Sequence, residues 1–417
     1  MLTMSPKEFV PGITTQKINY LEGVRGIAAF MVLAHHFMLA FYPAAYDSNH
    51  ERMHTAHLEG WYYSSPLNVL TNGNFCVTIF FVLSGYVLSQ KYVREGNITI
   101  VFSAATRRFF RLFIPVGTVI IISFLLIHYG LLKHVEASKI TKSDWWLGTL
   151  WPVPGTFGWF FEFFTYRVMF LGDSNCDTSM WTMSMELFGS FLVFGILALT
   201  HILKRRDLLC IAAIVILFLA QKYYYLAFPF GIMMNSVEKF SLSNKNPVIG
   251  YVLVPVLIFG GLLLGSYPSL NFAHYGFWEF IYNFKDGQKF LDTFAYVAIH
   301  VAGSVMVVAG IVLSPTLQKI MSMRLFVFLG LISFSLYLLH PLVIGAFSSP
   351  LMLSLIKNMT YNKAALTVFI STIALTVILS WVMAVTVDRF SVNFSKKYLG
   401  FKERKMSKKE LKKKKNS

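Results

Sequence analysis

The chain has 417 residues, of which 55% are hydrophobic and only 14% charged, against roughly a quarter charged in an ordinary water-soluble domain. That balance excludes a soluble enzyme and fits a membrane protein. The net charge of +17 is concentrated in short loops and a lysine-rich C-terminal tract, where it sets orientation or meets anionic lipid headgroups; no nucleic-acid partner is expected.

In chain order, apolar runs predict an all-α polytopic transmembrane helix bundle. The runs cover 20–42, 67–90, 109–131, 181–203, 208–227, 248–267, 291–313, 325–348 and 364–387. Each approaches the length of about 20 residues that a hydrocarbon core requires. The first run is too long for the core of a cleavable signal, and no small-x-small cleavage site follows it. Lys91, Arg94, Arg107, Arg108 and Arg111 lie between the second and third runs, and Lys204, Arg205 and Arg206 between the fourth and fifth. The positive-inside rule makes both connections cytoplasmic, with the segments 43–66 and 132–180 on the outer side.

These basic connections put the N-terminus in the cytoplasm, and the densely basic tail from Lys396 to Lys415 should be there too. Nine spans cannot do this, so a tenth crossing is expected between Tyr223 and Phe290, at 223–237 or at 272–284, giving about ten spans. No Gly/Ser/Pro-rich linker divides the chain. It therefore reads as an N-terminal segment 1–19, a membrane unit 20–390 and a basic tail 391–417, the two outer pieces cytoplasmic.

Cys76, Cys176 and Cys210 lack the paired spacing of a disulfide framework or a zinc site. The outer segment 43–66 holds His50, His54 and His57. His50 and His54 are four apart, as ligands on a helix are, but nothing else supports a metal there and none is expected. The segment 132–180 is rich in aromatics, among them Trp145, Trp146, Trp151, Trp159, Phe160 and Phe161. They read as interfacial anchors or as a platform for an acceptor such as a sugar.

Ionisable groups inside apolar runs are costly and usually functional. Arg25 and His36 are eleven residues apart in the first run. At about 100° per residue they fall within about 20° of each other on one helix face, about 16 Å apart along it. His35 lies off that stripe. Ser84-Gly85 interrupts the second run, where serine can bond across helices. Arg108 and Arg111 are three apart and share a face that suits a phosphate. Glu186 enters the fourth run, and His340 precedes Pro341 in the eighth.

Together these positions resemble acyltransferase family 3, integral membrane enzymes that O-acylate cell-surface glycans and other molecules. Arg25 and His36 match the family's Arg, ten residues, His. Phe80-Phe-Val-Leu-Ser-Gly85 matches its Phe-Phe-x-x-Ser-Gly, and Arg108 and Arg111 its Arg-x-x-Arg. Trp181 to Glu186 and Ser333 to His340 match two later signatures. The chain departs from the family at Asp388-Arg389-Phe390, where Glu and Pro often stand.

The resemblance implies an acyl-CoA donor, acetyl-CoA by default, held by Arg108, Arg111 and Arg107 beside Ser84. It implies His36 as general base or transient acyl carrier, Glu186 orienting it, and Arg25 binding phosphate or developing charge. The acceptor is a hydroxyl of a surface or exported carbohydrate, in a bacterial-type inner membrane. Acylation of a lipid or small secondary metabolite is the alternative, and a proton-coupled transporter the rival from another class.

Overall fold

The computed structural model describes residues 19–243, 246–268, 278 and 295–399. Among these the chain is helical, with no strand. We number the long helices α1 (Asn19–Phe41), α2 (Gly73–Glu95), α3 (Ile98–His128), α4 (Trp181–Leu203) and α5 (Arg206–Leu219). They are followed by α6 (Ala227–Ser243), α7 (Ile249–Gly265), α8 (Ala295–Leu313), α9 (Arg324–Leu355) and α10 (Tyr361–Leu399).

Seven of them, α1 to α4 and α8 to α10, are long and apolar enough to cross a membrane. The molecule is an integral membrane protein. α5 has 14 residues and α6 has 17, so a count of ten crossings stays a proposal. Of the two candidates for the tenth, 223–237 falls on a short 3₁₀ turn and α6. The other, 272–284, lies outside the described residues except for Trp278.

Close backbone contact draws the bundle together. α1 crosses α9 at Gly26 and Gly330, where a Cβ on Gly330 would run into the Glu22 carbonyl. α2 crosses α6 in the same way at Gly85 and Gly231, so α6 is packed deep against a long apolar helix. Lipid tails are as apolar as leucine, so small residues that let backbones approach do much of the work of association here.

Three elements differ from the sequence expectation. α3 starts at Ile98, eleven residues before the expected 109, because Asn97 caps it by accepting from the Thr99 N–H at 3.0 Å. Arg107, Arg108 and Arg111 are therefore inside a helix, with Arg108 and Arg111 about 15 and 20 Å along its axis rather than at its end.

The aromatic segment is the second. Phe157–Glu162 and the wider-wound Phe163–Leu171 form one helix that runs antiparallel along α3. Phe160 meets Phe124, Phe164 meets Phe113 and Phe170 meets Phe109, with ring centroids 4.8, 5.2 and 5.9 Å apart. Phe161 and Leu171 on this helix are exposed, as is Phe157, which also touches Phe124. That accounts for much of the aromatic content of 132–180 without a sugar platform. It does not apply to Trp145 and Trp146.

The third is the last helix, expected over the apolar run 364–387. α10 continues to Leu399 and lies along α3, with the Ser391 hydroxyl donating to the Phe110 and Arg111 carbonyls at 3.2 and 3.3 Å.

Candidate active site

A cavity of about 820 Å³ opens among the Lys/Arg-rich ends of α2 and α10 and the start of α3, and runs into the bundle between α1, α2, α3, α4, α9 and α10. This is within the size range of ligand pockets, roughly 300–1,000 Å³. Eight basic side chains line it against four acidic ones. Lys91, Arg94 and Lys396 stand at its mouth, and Arg25, Arg108 and Arg111 farther in.

The deep cations are not equivalent. Arg108 is ion-paired with Glu186 and also donates from Nε to the Ser190 hydroxyl at 2.7 Å. The Ser84 hydroxyl donates to the same Glu186 oxygen at 2.6 Å. Arg108 and Glu186 keep only 12% and 17% of their side-chain exposure, so this is a buried pair locked by two serines. Arg25 donates to Glu22 at 3.3 Å. Arg107 is turned back to the Ser103 carbonyl at 2.7 Å. Arg111 makes no hydrogen bond or close ion pair among the described residues, and its side chain stays accessible from the cavity. The charge of Asp388 acts on it, and that carboxylate accepts from the Ser335 hydroxyl at 2.7 Å.

The cavity ends at Thr182 and Tyr337. Their hydroxyls are 3.0 Å apart, and Tyr337 donates to the Ser179 carbonyl at 3.1 Å. One turn farther along α9 is His340, its ring centroid 6.1 Å from that of Tyr337. His36 Nδ1 and His340 Nε2 are 2.5 Å apart, with the ring planes 13° from parallel and the centroids 4.8 Å apart. That separation is the N···N contact plus the two ring radii, so the imidazoles meet edge to edge and nearly coplanar. Both are buried, at 9% and 0% exposure.

On the far side from the cavity Trp146 faces the His36 ring at 5.2 Å, and His35 lies 5.2 Å away. His35 is held by the Thr71 carbonyl at 2.7 Å. Tyr46 stacks on Trp145 at 6.1 Å, with the Arg52 guanidinium over that indole. These rings make an aromatic ledge beside His36.

The structure thus brings Arg25, Arg107, Arg108, Arg111, Ser84 and Glu186 to one cavity and sets His36 beyond its closed end. Glu186 is not bonded to His36. Its partners are Arg108 and Ser84, and the partner of His36 is His340. Glu186 is in the first turns of α4 and reaches the guanidinium that the early start of α3 carries inward. Asp388 stands one residue past the last apolar run, so the signal that marked Arg25 and Glu186 just misses it. Tyr337 and Thr182 carry no charge to mark them, but both lie inside the two later family signatures, Ser333 to His340 and Trp181 to Glu186. In the other histidine cluster, His54 stacks on Tyr361 at 3.6 Å while His50 stands 6.5 Å from His57, so the four-residue pair does not converge. Among the described residues no group of three or more His, Cys, Asp or Glu is placed to hold a metal.

A family profile described as an acyltransferase domain matches residues 18–385, from the start of α1 to late in α10. The chain belongs to acyltransferase family 3. This acyltransferase is 22% identical over 432 residues to the O-acetyltransferase PaAT-1 of Phomopsis amygdali, a match covering 89% of the chain and 81% of that protein. No solved structure matches it. Family and relative together make the protein a membrane O-acyltransferase.

Proposed function

We propose that this acyltransferase moves an acetyl group from cytoplasmic acetyl-CoA to a hydroxyl of a cell-surface or exported carbohydrate. The observation that carries the reading is the polybasic cavity that starts at the Lys/Arg-rich helix ends and stops one helical turn short of paired imidazoles. The acetyl group is carried over from the name of the relative, and the cytoplasmic side from the basic connections. For the carbohydrate acceptor, the support is the family resemblance and the Trp145/Trp146/Tyr46 ledge, whose flat rings suit an amphipathic sugar face.

The donor's phosphates enter among the basic residues at the mouth. Arg111, the deep guanidinium with spare donors, takes one of them, with Arg107 beside it. Arg108 is the second family arginine, but Glu186 and Ser190 occupy it. Its part is to hold the cavity wall and, with Ser84, to steer the narrow pantetheine arm. Arg25, about 16 Å from His36 along α1, adds positive charge for the donor's phosphates rather than for the thioester.

His36 takes the proton of the acceptor hydroxyl as its oxygen attacks the thioester carbonyl. A C–O bond forms and the C–S bond breaks. The proton passes to the departing CoA sulfur, leaving an ester and a free thiol. A positioned base typically contributes about 10²–10⁴-fold.

The test uses purified protein in sealed, oriented liposomes, with labelled acetyl-CoA supplied from the Arg111 side and a methyl glucoside on the other. Wild type is expected to release CoA and label the sugar, and His36→Ala to do neither. Arg111→Ala removes charge-assisted bonds of about 1.5–3 kcal/mol, so the donor KM should rise roughly 10- to 150-fold. Label transfer that is unchanged in both variants would sink the assignment.

A further inference from the structure

We propose that His340 is a positioning residue: it fixes the tautomer of His36 so that His36 Nε2 carries the free lone pair that meets the acceptor. The inference rests on the reading of His36 as the base and says how that base is prepared.

The argument runs by elimination from the far ring. His340 Nδ1 is 3.0 Å from the Leu336 carbonyl on its own helix. The Tyr337 carbonyl also faces it, and Pro341, which has no N–H, leaves that carbonyl without its usual helical donor. A carbonyl oxygen only accepts, so His340 Nδ1 must hold a hydrogen. In a neutral imidazole the other nitrogen is then bare, so Nε2 of His340 is an acceptor. The atom it faces at 2.5 Å is His36 Nδ1, which must therefore be the donor. The proton of neutral His36 is thereby spent on His340, and its Nε2 is left unprotonated.

No carboxylate is bonded to either ring among the described residues, and an unpaired buried charge is costly, so the resting pair is neutral. The other titratable groups against the pair are His35, beside His36, and Tyr337, beside His340. When His36 takes a proton at Nε2 it becomes a cation whose Nδ1–H still points at a lone pair. His340 then does what the buried acid does in a hydrolase triad, orienting the base and sharing its charge, but as a neutral acceptor. The near-coplanar rings, 13° apart, are what such an in-plane bond needs. The His-Pro order on α9 acquires a reason as well: the proline frees a carbonyl next to the ring that must be kept in one tautomer.

The experiment reads the tautomer directly. Protein carrying ¹⁵N-histidine is prepared in liposomes and its solid-state spectrum compared with those of His36→Asn and His340→Leu, which assign the two rings among the eleven histidines. Wild type should show both rings protonated at Nδ1 and bare at Nε2. In His340→Leu, His36 should leave that single form. Finding His36 protonated at Nε2 in wild type, or unchanged in His340→Leu, overturns the proposal.

Turnover of acetyl-CoA with methyl glucoside gives the second reading. His340→Leu should lower kcat by about 10²-fold or more with little change in donor KM, whereas His340→Gln, which offers a carbonyl acceptor, should recover at least tenfold of that loss. Equal losses in both variants with intact folding overturn the positioning role. His36→Ala separates the two claims: full activity in that variant refutes His36 as base, while an inactive His36→Ala beside an unaffected His340→Leu refutes only the part assigned to His340.

Discussion

Replacing Glu186 by alanine strips Arg108 of its counter-charge while leaving the guanidinium where α3 holds it. Both groups are largely shielded, so solvent replaces little of what is lost. Removing one member of a buried pair typically costs about 3–5 kcal/mol, because the other remains as an uncompensated charge. The cavity admits some water at this site, which puts the expected cost near the lower end, about 3 kcal/mol. Replacing both members with apolar residues of similar size, Arg108→Met with Glu186→Leu, removes the orphan and should recover most of that loss.

Reversible unfolding in mixed micelles of Glu186→Ala gives the loss, and that of Arg108→Met, Glu186→Leu and their double variant gives the coupling between the two positions. If Glu186→Ala loses less than about 1 kcal/mol, or the double variant equals the sum of the singles, the pair does not hold the wall and the reasoning fails. Donor affinity separates structure from chemistry. In the stable double variant it should fall less than in Arg111→Ala, because Arg108 is already committed to Glu186.

Two further outcomes follow from the fold. Gly330→Ala pushes a Cβ into the Glu22 carbonyl, backbone that cannot rotate aside, so α1 and α9 must separate. The expected cost is about 1–3 kcal/mol with a matching loss of turnover, whereas Gly158→Ala, which meets nothing, should be silent in both assays. Asp177 sits in the connection before α4, fully buried, and burial raises its carboxyl from the usual 3.8 to about 7. The folded state therefore keeps a proton that the unfolded chain releases, so this contribution to stability is whole below about pH 4 and is lost as the pH climbs through 7. Unfolding measured at pH 5 and pH 8 should show the decline, and Asp177→Asn should flatten it.

The sequence carried most of the architecture, for identifiable reasons. α1 was legible within a residue because its apolar run has the length of a span. So was the inward placement of Arg25, His36, Glu186 and His340, half-buried or buried, because ionisable groups in an apolar run stand out. The start of α3 was missed because residues 98–108 mix threonine, serine and arginine with aliphatics. Asn97 did offer a capping signal. The helix from Phe157 to Leu171 was read as a loop because it is shorter than a span. Partner choice was the least legible. Several cations compete for Glu186, and only the depth of each along its helix decides that Arg108 takes it. Likewise, nothing local to His36 points to a ring 304 positions away.

That last separation has a consequence for how the protein is made. α1 enters the bilayer first, yet the helix that crosses it at Gly26 and supplies the ring facing His36 is translated almost last. At about 5–20 residues per second, the 304 positions between the histidines correspond to roughly 15–60 s of synthesis. For that interval an arginine and two histidines wait in a membrane without α9. A ribosome stalled anywhere before residue 340 leaves an inserted chain that lacks half of the imidazole pair. On the role proposed for His340, such a fragment should transfer acyl groups about 10²-fold or more slowly than the finished chain, so activity follows completion of α9 rather than insertion of α1.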